Sequence, residues 1–257
     1  MLEGESLQKA QFNAIAQQYT LHLGECSPPM KERANVWIVV PAYNEAQVIG
    51  EVLNQLCQLP YNVVVVDDGS VDHTYQRALD FPVTVLRHVC NLGQGAALQT
   101  GIEYALLFPE TEFIVTFDSD GQHGRDSIAQ LLDSLKTGNY DVALGSRFLR
   151  RGDAVNINLR KQLTLKLAIL LTRITTGLKL TDTHNGLRAF TAKAAAQIKI
   201  KQNRMAHASE ILSQISELKL RYCEIPVTIT YTEYSKVKGQ KIVQSINIIW
   251  DMLRSHL

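Results

Sequence analysis

The sequence predicts an α/β protein with a mostly parallel central sheet that is covered by helices on both faces. The apolar runs are continuous and rich in β-branched residues, as in Asn62–Asp67, where four valines stand in a row. Such runs are typical of strands that are buried on both faces. They alternate with helical segments, which is the order that βαβ units produce. A chain of 257 residues is long enough for one large domain of this kind.

The regular part of this pattern lies between residues 36 and 144. Strands are predicted at Val36–Val40, Asn62–Asp67, Val83–Arg87, Phe113–Phe117 and Asp141–Leu144. Helices are predicted between them at Glu45–Leu59, His73–Asp80, Gln94–Leu107 and Asp126–Lys136. The strand segments are short and mostly apolar, whereas the helical segments place apolar residues at helical spacing.

Three regions are expected along the chain. Residues 1–34 form an N-terminal extension with a short helix around Gln8–Tyr19 and a break at Pro28–Pro29. Residues 35–240 form the α/β domain, and residues 241–257 form an amphipathic C-terminal helix. The four cysteines are far apart and form no C-x-x-C pair, so we expect reduced thiols in a cytosolic protein. The acidic, polar N-terminus argues against a secretory signal.

Chemically distinctive residues directly follow several of the predicted strands. These segments are Pro41–Glu45, Asp67–Ser70, Asn91–Gly95 and Asp118–His123. Because ligands of parallel α/β sheets bind at the carboxyl ends of the strands, these four segments are predicted to surround one binding site.

The segment after the fourth predicted strand carries the strongest chemical signal. Asp118 and Asp120 are one residue apart at the end of a buried strand, where like charges repel and resist desolvation. A divalent cation removes that cost, and Mg²⁺ or Mn²⁺ prefers carboxylate oxygens while leaving positions for phosphate. The alternative is an ordinary turn rich in Asp and Gly.

The charge of the chain is segregated between its two halves. Residues 1–146 contain 7 Lys and Arg against 18 Asp and Glu, a net charge of −11. Residues 147–257 contain 19 Lys and Arg against 7 Asp and Glu, a net charge of +12. This polarity indicates an anionic partner such as phosphate, nucleic acid or a membrane surface. A solvated basic face on ordinary helices would give the same count.

Two apolar segments of the basic half suggest contact with a membrane surface. Leu163–Leu178 is interrupted by Lys166 and Arg173, and its longest apolar run has five residues, far short of the ~20 that span a bilayer. An apolar helix with embedded cations suits a membrane interface, but it also suits a core helix with two snorkelling cations. The apolar segment Ile242–Leu253 could likewise be a membrane-interface helix or a core helix.

The ordered motifs resemble those of family 2 glycosyltransferases with a GT-A fold. The motifs are PAYNEA (41–46), VVDDGS (65–70), NLGQGAAL (91–98), DSDGQH (118–123) and GSRF (145–148). The later DTHNGLRAF (182–190), HASEIL (207–212) and EYSKVKGQ (233–240) are similar to the branch of dolichol- and polyprenyl-phosphate glycosyltransferases. The resemblance extends over about residues 35–245.

The resemblance implies a nucleotide-sugar site and a metal site. The residues implied for the nucleotide sugar are Pro41, Tyr43, Glu45, Asp68, Asp118, Ser119 and Asp120, and those for Mg²⁺ or Mn²⁺ are Asp118, Asp120 and Gln122. Asp68 could accept the imide N–H of uracil or guanine, or only cap the following helix as an Asx-turn. Glu45 could instead be a first-turn carboxylate that the helix dipole favours. His123 is expected to be a neighbour of the metal, because hard cations favour oxygen.

The basic half is implied to hold the acceptor. Arg147 and Arg160 would grip a lipid phosphate, a role that suits guanidinium, and together with Asp120 they are the expected catalytic residues. The candidate sugar and acceptor pocket comprises Asp182, Asn185, Arg188, Glu210 and Lys236. Asp182, Asn185 and Arg188 are expected in a loop, and Glu210 could be only a helix-face carboxylate.

By resemblance, the expected activity is inverting transfer of a sugar from a UDP- or GDP-linked hexose to a polyprenyl or dolichyl phosphate. The reaction would take place at the cytosolic face of a membrane, with the protein attached peripherally or through a separate small integral membrane protein. A sugar hydroxyl acceptor is the alternative, with Asp182 or Glu210 as base, and a non-catalytic nucleotide-sugar-binding module is another. No nucleic-acid partner is expected, because the basic half has no recognisable recognition module.

Overall fold

The structure is a computed structural model that describes residues 20–22, 35–150, 154–155, 169–204 and 206–230. The predicted helix at Gln8–Tyr19 and the predicted C-terminal helix lie outside these residues, as do Arg160 and Lys236. The expected boundaries at residues 34 and 240 therefore stay predictions.

The described strands form an eight-stranded sheet at the centre of the molecule and a second, two-stranded sheet. The strands are β1 (Thr20–His22), β2 (Val36–Ala42), β3 (Asn62–Asp67), β4 (Thr84–Arg87), β5 (Phe113–Thr116), β6 (Val142–Ser146), β7 (Ala154–Val155), β8 (Arg188–Thr191), β9 (Tyr222–Pro226) and β10 (Ile229–Thr230). Their order in the large sheet is β1-β4-β3-β2-β5-β8-β6-β9, and β7 pairs with β10.

Parallel pairing dominates the predicted part of the sheet. Strands β4, β3, β2 and β5 are parallel neighbours, and β6 and β9 form another parallel pair. The predicted α/β fold with a mostly parallel sheet is confirmed. One detail was wrong: Arg188, expected in a loop, begins β8. This strand runs antiparallel between β5 and β6, where Arg188 lies opposite Thr116 on one side and Leu144 on the other.

Seven helices are described. They are α1 (Ile49–Leu56), α2 (Thr74–Leu79), α3 (Gln94–Ala105), α4 (Asp126–Gly138), α5 (169–176), α6 (Ala192–Gln197) and α7 (His207–Glu217). The prediction that the first helix begins at Glu45 was wrong by four residues. The backbone N–H of Glu45 donates to Thr74 Oγ1 at 2.7 Å and that of Ala46 to an Asp72 carboxylate oxygen at 3.2 Å. These side chains hold the residues before α1 in a turn that is bonded to the neighbouring loop.

Hydrophobic cores cover both faces of the sheet. Along β2, Ile38 and Val40 point into one core, whereas Trp37 and Val39 point into the other. The first core receives α1 and α4, and the second receives α3 and α7. Because both faces of the sheet are buried, a strand such as β2 is apolar along its whole length, which explains why its sequence shows no alternation of polar and apolar residues. Among the described helices, none is long and apolar enough to cross a membrane.

Candidate active site

The loops that follow β2 and β3 are bound to each other at the carboxyl edge of the sheet. The backbone N–H of Asn44 donates to Ser70 Oγ at 2.9 Å, and the N–H of Val71 donates to Asn44 Oδ1 at 3.0 Å. Asn44 takes a left-handed conformation with φ 53°. These contacts hold Glu45 buried and leave Tyr43 40% exposed at the edge.

The loop after β5 joins this group through Ser119. Its hydroxyl donates to the carbonyl oxygen of Pro41 at 2.8 Å, which places the D-S-D segment beside the end of β2. The charge of Glu45 contributes to raising the pKa of Asp120, so the two loops are also in electrostatic contact. The structure therefore brings together Pro41, Glu45 and the D-S-D segment, as the sequence predicted.

Asp118 and Asp120 have different hydrogen-bond partners. Asp118 Oδ1 accepts a hydrogen bond from Gln94 Nε2 at 2.9 Å, and its Oδ2 lies 3.4 Å from His123 Nε2. Asp120 accepts from Gln122, through the backbone N–H at 3.1 Å and the side-chain amide at 2.6 Å. Gln122 therefore orients Asp120 within the same turn.

The two carboxyl groups also differ in their proton affinity. Burial alone would raise the pKa of Asp118, but the hydrogen bond from His123 and the nearby charge of Arg188 hold it below the usual range. Burial, together with the negative charge of Asp118, raises the pKa of Asp120 to about 6. Ionising Asp120 beside Asp118 therefore carries an electrostatic cost that a bound cation would lower.

These residues fit a hard divalent cation. The available donors are carboxylate oxygens, which Mg²⁺ and Mn²⁺ prefer, and Asp118 keeps part of its side chain exposed. In the described part of the chain, no group of three or more His, Cys, Asp and Glu side chains has the arrangement of a metal site. A cation bound by Asp118 and Asp120 would complete its coordination with other oxygens, for which diphosphate is chemically suited.

Asp68, in the loop after β3, is buried beneath the turn that precedes α3. It is 2% exposed, and its carboxylate accepts hydrogen bonds from the backbone N–H groups of Leu92 at 2.9 Å and Gly93 at 2.7 Å. The ring of His88 contacts it through Nδ1 at 2.7 Å. These contacts show that Asp68 supports the turn before α3, and its role in binding a base stays a prediction.

Arg147 is held by a buried ion pair at the end of β6. Its Nε donates to Asp182 Oδ2 at 2.6 Å and its Nη2 to Oδ1 at 3.3 Å, while its backbone N–H also donates to Asp182. The side chains of Arg147 and Asp182 are 6% and 0% exposed. Glu224 on β9 in turn accepts from the backbone N–H groups of Thr181 and Asp182. Glu224 was not predicted, because nothing local marks a strand carboxylate as the partner of a loop 42 residues away.

The remaining predicted pocket residues have structural contacts of their own. Asn185 Oδ1 accepts from the N–H of Leu187 at 3.0 Å, and Arg188 Nε donates to the Asn185 carbonyl oxygen at 3.0 Å. Burial lowers the pKa of Arg188 to about 10. Glu210 lies farther along, where its carboxylate accepts from the backbone N–H groups of Lys201 and Gln202. The expected roles of these residues in substrate binding stay predictions.

Two histidines near this edge were missed from the sequence: His207, which is buried, and His184, which is half-buried. Burial lowers the pKa of His184 to about 4 and that of His207 to about 4, so both rings are neutral near pH 7. His207 Nδ1 lies 2.7 Å from the carbonyl oxygen of Arg204 and therefore donates to it. The sequence contained a signal for both, because His184 lies in the motif DTHNG and His207 begins the motif HASEIL.

A family model described as glycosyl transferase family 2 matches residues 37–199, which is more than half of the chain. The chain belongs to glycosyl transferase family 2. It is 30% identical to a UDP-N-acetylglucosamine–dolichyl-phosphate N-acetylglucosaminyltransferase of Methanococcus voltae, covering 85% of this chain and 94% of that one. It is 27% identical to the polyprenol monophosphomannose synthase of Mycolicibacterium smegmatis, covering 87% of this chain and 88% of that one.

Among solved structures, this family 2 chain resembles the glucosyl-3-phosphoglycerate synthase of Mycobacterium tuberculosis in complex with Mn²⁺, UDP and glucosyl-3-phosphoglycerate. The TM-score is 0.63 at 16% identity, with 91% of this chain and 83% of that chain covered. This likeness shows the shared fold. Family membership makes the chain an enzyme of the glycosyltransferase class, and the alternative of a non-catalytic module is set aside.

Proposed function

We propose that this family 2 enzyme transfers a hexose, with inversion, from a UDP- or GDP-linked sugar to a polyprenyl or dolichyl phosphate. The observation that carries the proposal is the meeting of three groups at one edge of the sheet. They are the Glu45 loop, the Asp118–Asp120 pair and the Arg147–Asp182 pair. The first two suit a nucleoside diphosphate with its metal. The third places a guanidinium just after β6, whose carboxyl end lies at the same edge of the sheet as that of β5. The named lipid-phosphate transferases among its relatives support the same acceptor class.

On this proposal Asp118 and Asp120 hold Mg²⁺ or Mn²⁺, which would stabilise the charge that develops on the leaving diphosphate. The chain's own contribution is orientation. Gln94 and Gln122 direct the two carboxylates, and Glu45 and Tyr43 line the loop where the nucleoside would bind. The mycobacterial synthase of the same fold was solved with Mn²⁺ and UDP bound together, which supports a donor and a metal acting together here.

The contacts of Arg147 favour a phosphate acceptor over a sugar hydroxyl. A phosphate is already anionic near pH 7, so it needs orientation more than a base. Asp182, a candidate base for a hydroxyl, has a fully buried side chain that contacts Arg147 at 2.6 Å, so it does not face an acceptor in this structure. The carboxylate oxygens of Glu210, the other candidate base, accept hydrogen bonds from backbone N–H groups. We therefore assign Asp182 to holding Arg147 and Arg147 to the acceptor phosphate; Arg160, its expected partner, lies outside the described residues.

We further propose peripheral attachment to an anionic membrane surface, directly or through a separate membrane protein. Helix α5 exposes two apolar side chains four residues apart, Leu170 at 53% and Ile174 at 71%, and residues at this spacing share one helix face. Arg173 beside them is also exposed. An exposed apolar face with a neighbouring cation is what an interfacial helix presents, whereas a core helix would bury Leu170 and Ile174.

A donor panel tests the proposed function. The full chain is incubated with polyprenyl phosphate, Mn²⁺ or Mg²⁺ and a series of UDP- and GDP-hexoses, and the release of nucleoside diphosphate and the glycolipid mass are measured. We expect one donor to give a glycosyl phospholipid in a metal-dependent reaction. Transfer to a free sugar in the absence of lipid would support the hydroxyl acceptor instead.

A further inference from the structure

The orientation of Asp118 depends on a residue outside the D-S-D segment. Gln94 Nε2 donates to Asp118 Oδ1 at 2.9 Å, whereas the second contact of this carboxylate, with His123, is longer at 3.4 Å. An amide donor is neutral, so it orients a carboxylate without cancelling the negative charge of that carboxylate. A bound cation needs this negative charge. Gln94 is therefore suited to aim Asp118 and to leave its charge for a metal.

The position of Gln94 is set by the turn that precedes it. Gln94 is the first residue of α3 and follows Gly93, whose φ is 105°. A β-carbon on Gly93 would lie 2.2 Å from the carbonyl oxygen of Asn203. The backbone N–H of Gly95 also donates a hydrogen bond to this carbonyl oxygen at 2.8 Å. The segment around Asn203 therefore packs closely against one side of the turn.

Hydrogen bonds to Asp68 hold the other side of the turn, and two buried residues, His88 and Thr100, continue this chain of hydrogen bonds. Asp68 accepts the N–H groups of Leu92 and Gly93, and its Oδ1 lies 2.7 Å from His88 Nδ1. An ionised carboxylate only accepts, so Nδ1 carries the proton. His88 Nε2 lies 3.0 Å from Thr100 Oγ1. His88 and Thr100 are each 1% exposed, so neither can touch a substrate in this structure.

We propose that Gln94 is a positioning residue for Asp118, and that the buried chain Thr100–His88–Asp68 sets the turn that presents Gln94. The inference rests on the proposed function, because it assigns Gln94 to the metal site formed by Asp118 and Asp120. It links the loop expected to hold the base to the carboxylate expected to hold the metal through consecutive hydrogen bonds.

The decisive variant is Gln94→Leu, which keeps the size of the side chain and removes its donor. Gln99→Leu is the matched control, because Gln99 lies on the same helix and its amide contacts Glu103 and the backbone of Ile200 instead. Mn²⁺ binding is measured by electron paramagnetic resonance on the full chain, with saturating UDP and, in parallel, GDP. Nucleotide binding in EDTA and thermal unfolding are measured on the same samples.

We expect Gln94→Leu to weaken Mn²⁺ binding roughly ten- to a hundredfold, as the loss of one hydrogen bond to a charged group does. Nucleotide binding in EDTA and the unfolding temperature should stay unchanged, and Gln99→Leu should bind Mn²⁺ normally. Thr100→Val, which removes only the hydroxyl behind His88, should weaken Mn²⁺ binding in the same direction by a smaller factor.

Two results would overturn the inference and can be told apart from failure of the proposed function. If the wild-type chain binds Mn²⁺ with nucleotide and Gln94→Leu binds it equally well, Gln94 does not position Asp118, and the proposed function stands. The same holds if Gln99→Leu loses as much affinity as Gln94→Leu. If the wild-type chain binds no Mn²⁺ with either nucleotide, the proposed metal site fails and the inference falls with it.

Discussion

Replacing Asp120 with Asn should stabilise the metal-free protein while removing its response to metal. The pKa of Asp120 is raised from 3.8 to about 6, mainly by burial and then by the charge of Asp118. Each pKa unit corresponds to about 1.4 kcal/mol, so the ionised carboxylate costs the folded state up to about 3 kcal/mol near pH 7. An Asn has no charge to desolvate, and its oxygen can still accept the N–H of Gln122.

The sign of this effect can be followed with pH. Because the pKa of Asp120 is higher in the folded state than in the unfolded state, the cost is absent below about pH 4. It grows between about pH 4 and 6 and is complete above about pH 6. The unfolding temperatures of wild-type and Asp120→Asn proteins should therefore coincide at low pH and separate as the pH rises, by up to roughly 10 °C at pH 7.

Thermal unfolding in EDTA, and again with Mn²⁺ and nucleoside diphosphate, measures both parts of the prediction. Wild-type protein should gain about 2.7 kcal/mol at a ligand concentration one hundred times the Kd, and Asp120→Asn should gain far less. Transfer activity of the variant should fall by ~10²–10³. Asp126→Asn is the matched control, because the Asp126 side chain is 97% exposed. The reasoning is refuted if Asp120→Asn is less stable than wild type in EDTA at pH 7, or if metal stabilises both equally.

Four further outcomes are expected. Mn²⁺ affinity should fall about tenfold per pH unit below pH 6, as protons compete for Asp120; a flat titration to pH 5 would contradict this. Gly186→Ala should abolish metal binding, because its β-carbon would lie 2.0 Å from Asp118 Oδ2, whereas Gly124→Ala meets no atom within 4 Å and should bind normally. Arg147→Lys, which keeps the charge but loses the bidentate contact, should raise the acceptor KM roughly tenfold; unchanged acceptor kinetics with weaker nucleotide binding would reverse its role. Anionic liposomes should bind the protein in flotation assays, less at high salt but still measurably; failure with all liposomes would favour recruitment by a membrane protein.

The loops at the carboxyl edge of the sheet show which features of the site can be predicted from local sequence. Burial on both faces makes each strand an apolar run, and a parallel sheet gathers the carboxyl ends of its strands at one edge. That Glu45, Ser119 and Asp120 lie at one edge of the sheet therefore follows from their positions after predicted parallel strands. The chemistry expected of two neighbouring carboxylates follows in the same way, because repulsion between them does not depend on the rest of the fold.

Contacts between distant segments could not be predicted in this way. An apolar run indicates that a strand is buried but does not name its neighbours, so the antiparallel insertion of β8 between β5 and β6 was missed. The same holds for the ion pair of Arg147 with Asp182, 35 residues apart, and for the contact of Gln94 with Asp118, 24 residues apart. The succession of strands and motifs along the chain was determined locally by periodicity and residue type. Which polar side chain meets which was decided by tertiary packing, because a hydrogen bond requires atoms within about 3 Å and only the folded chain brings these atoms that close.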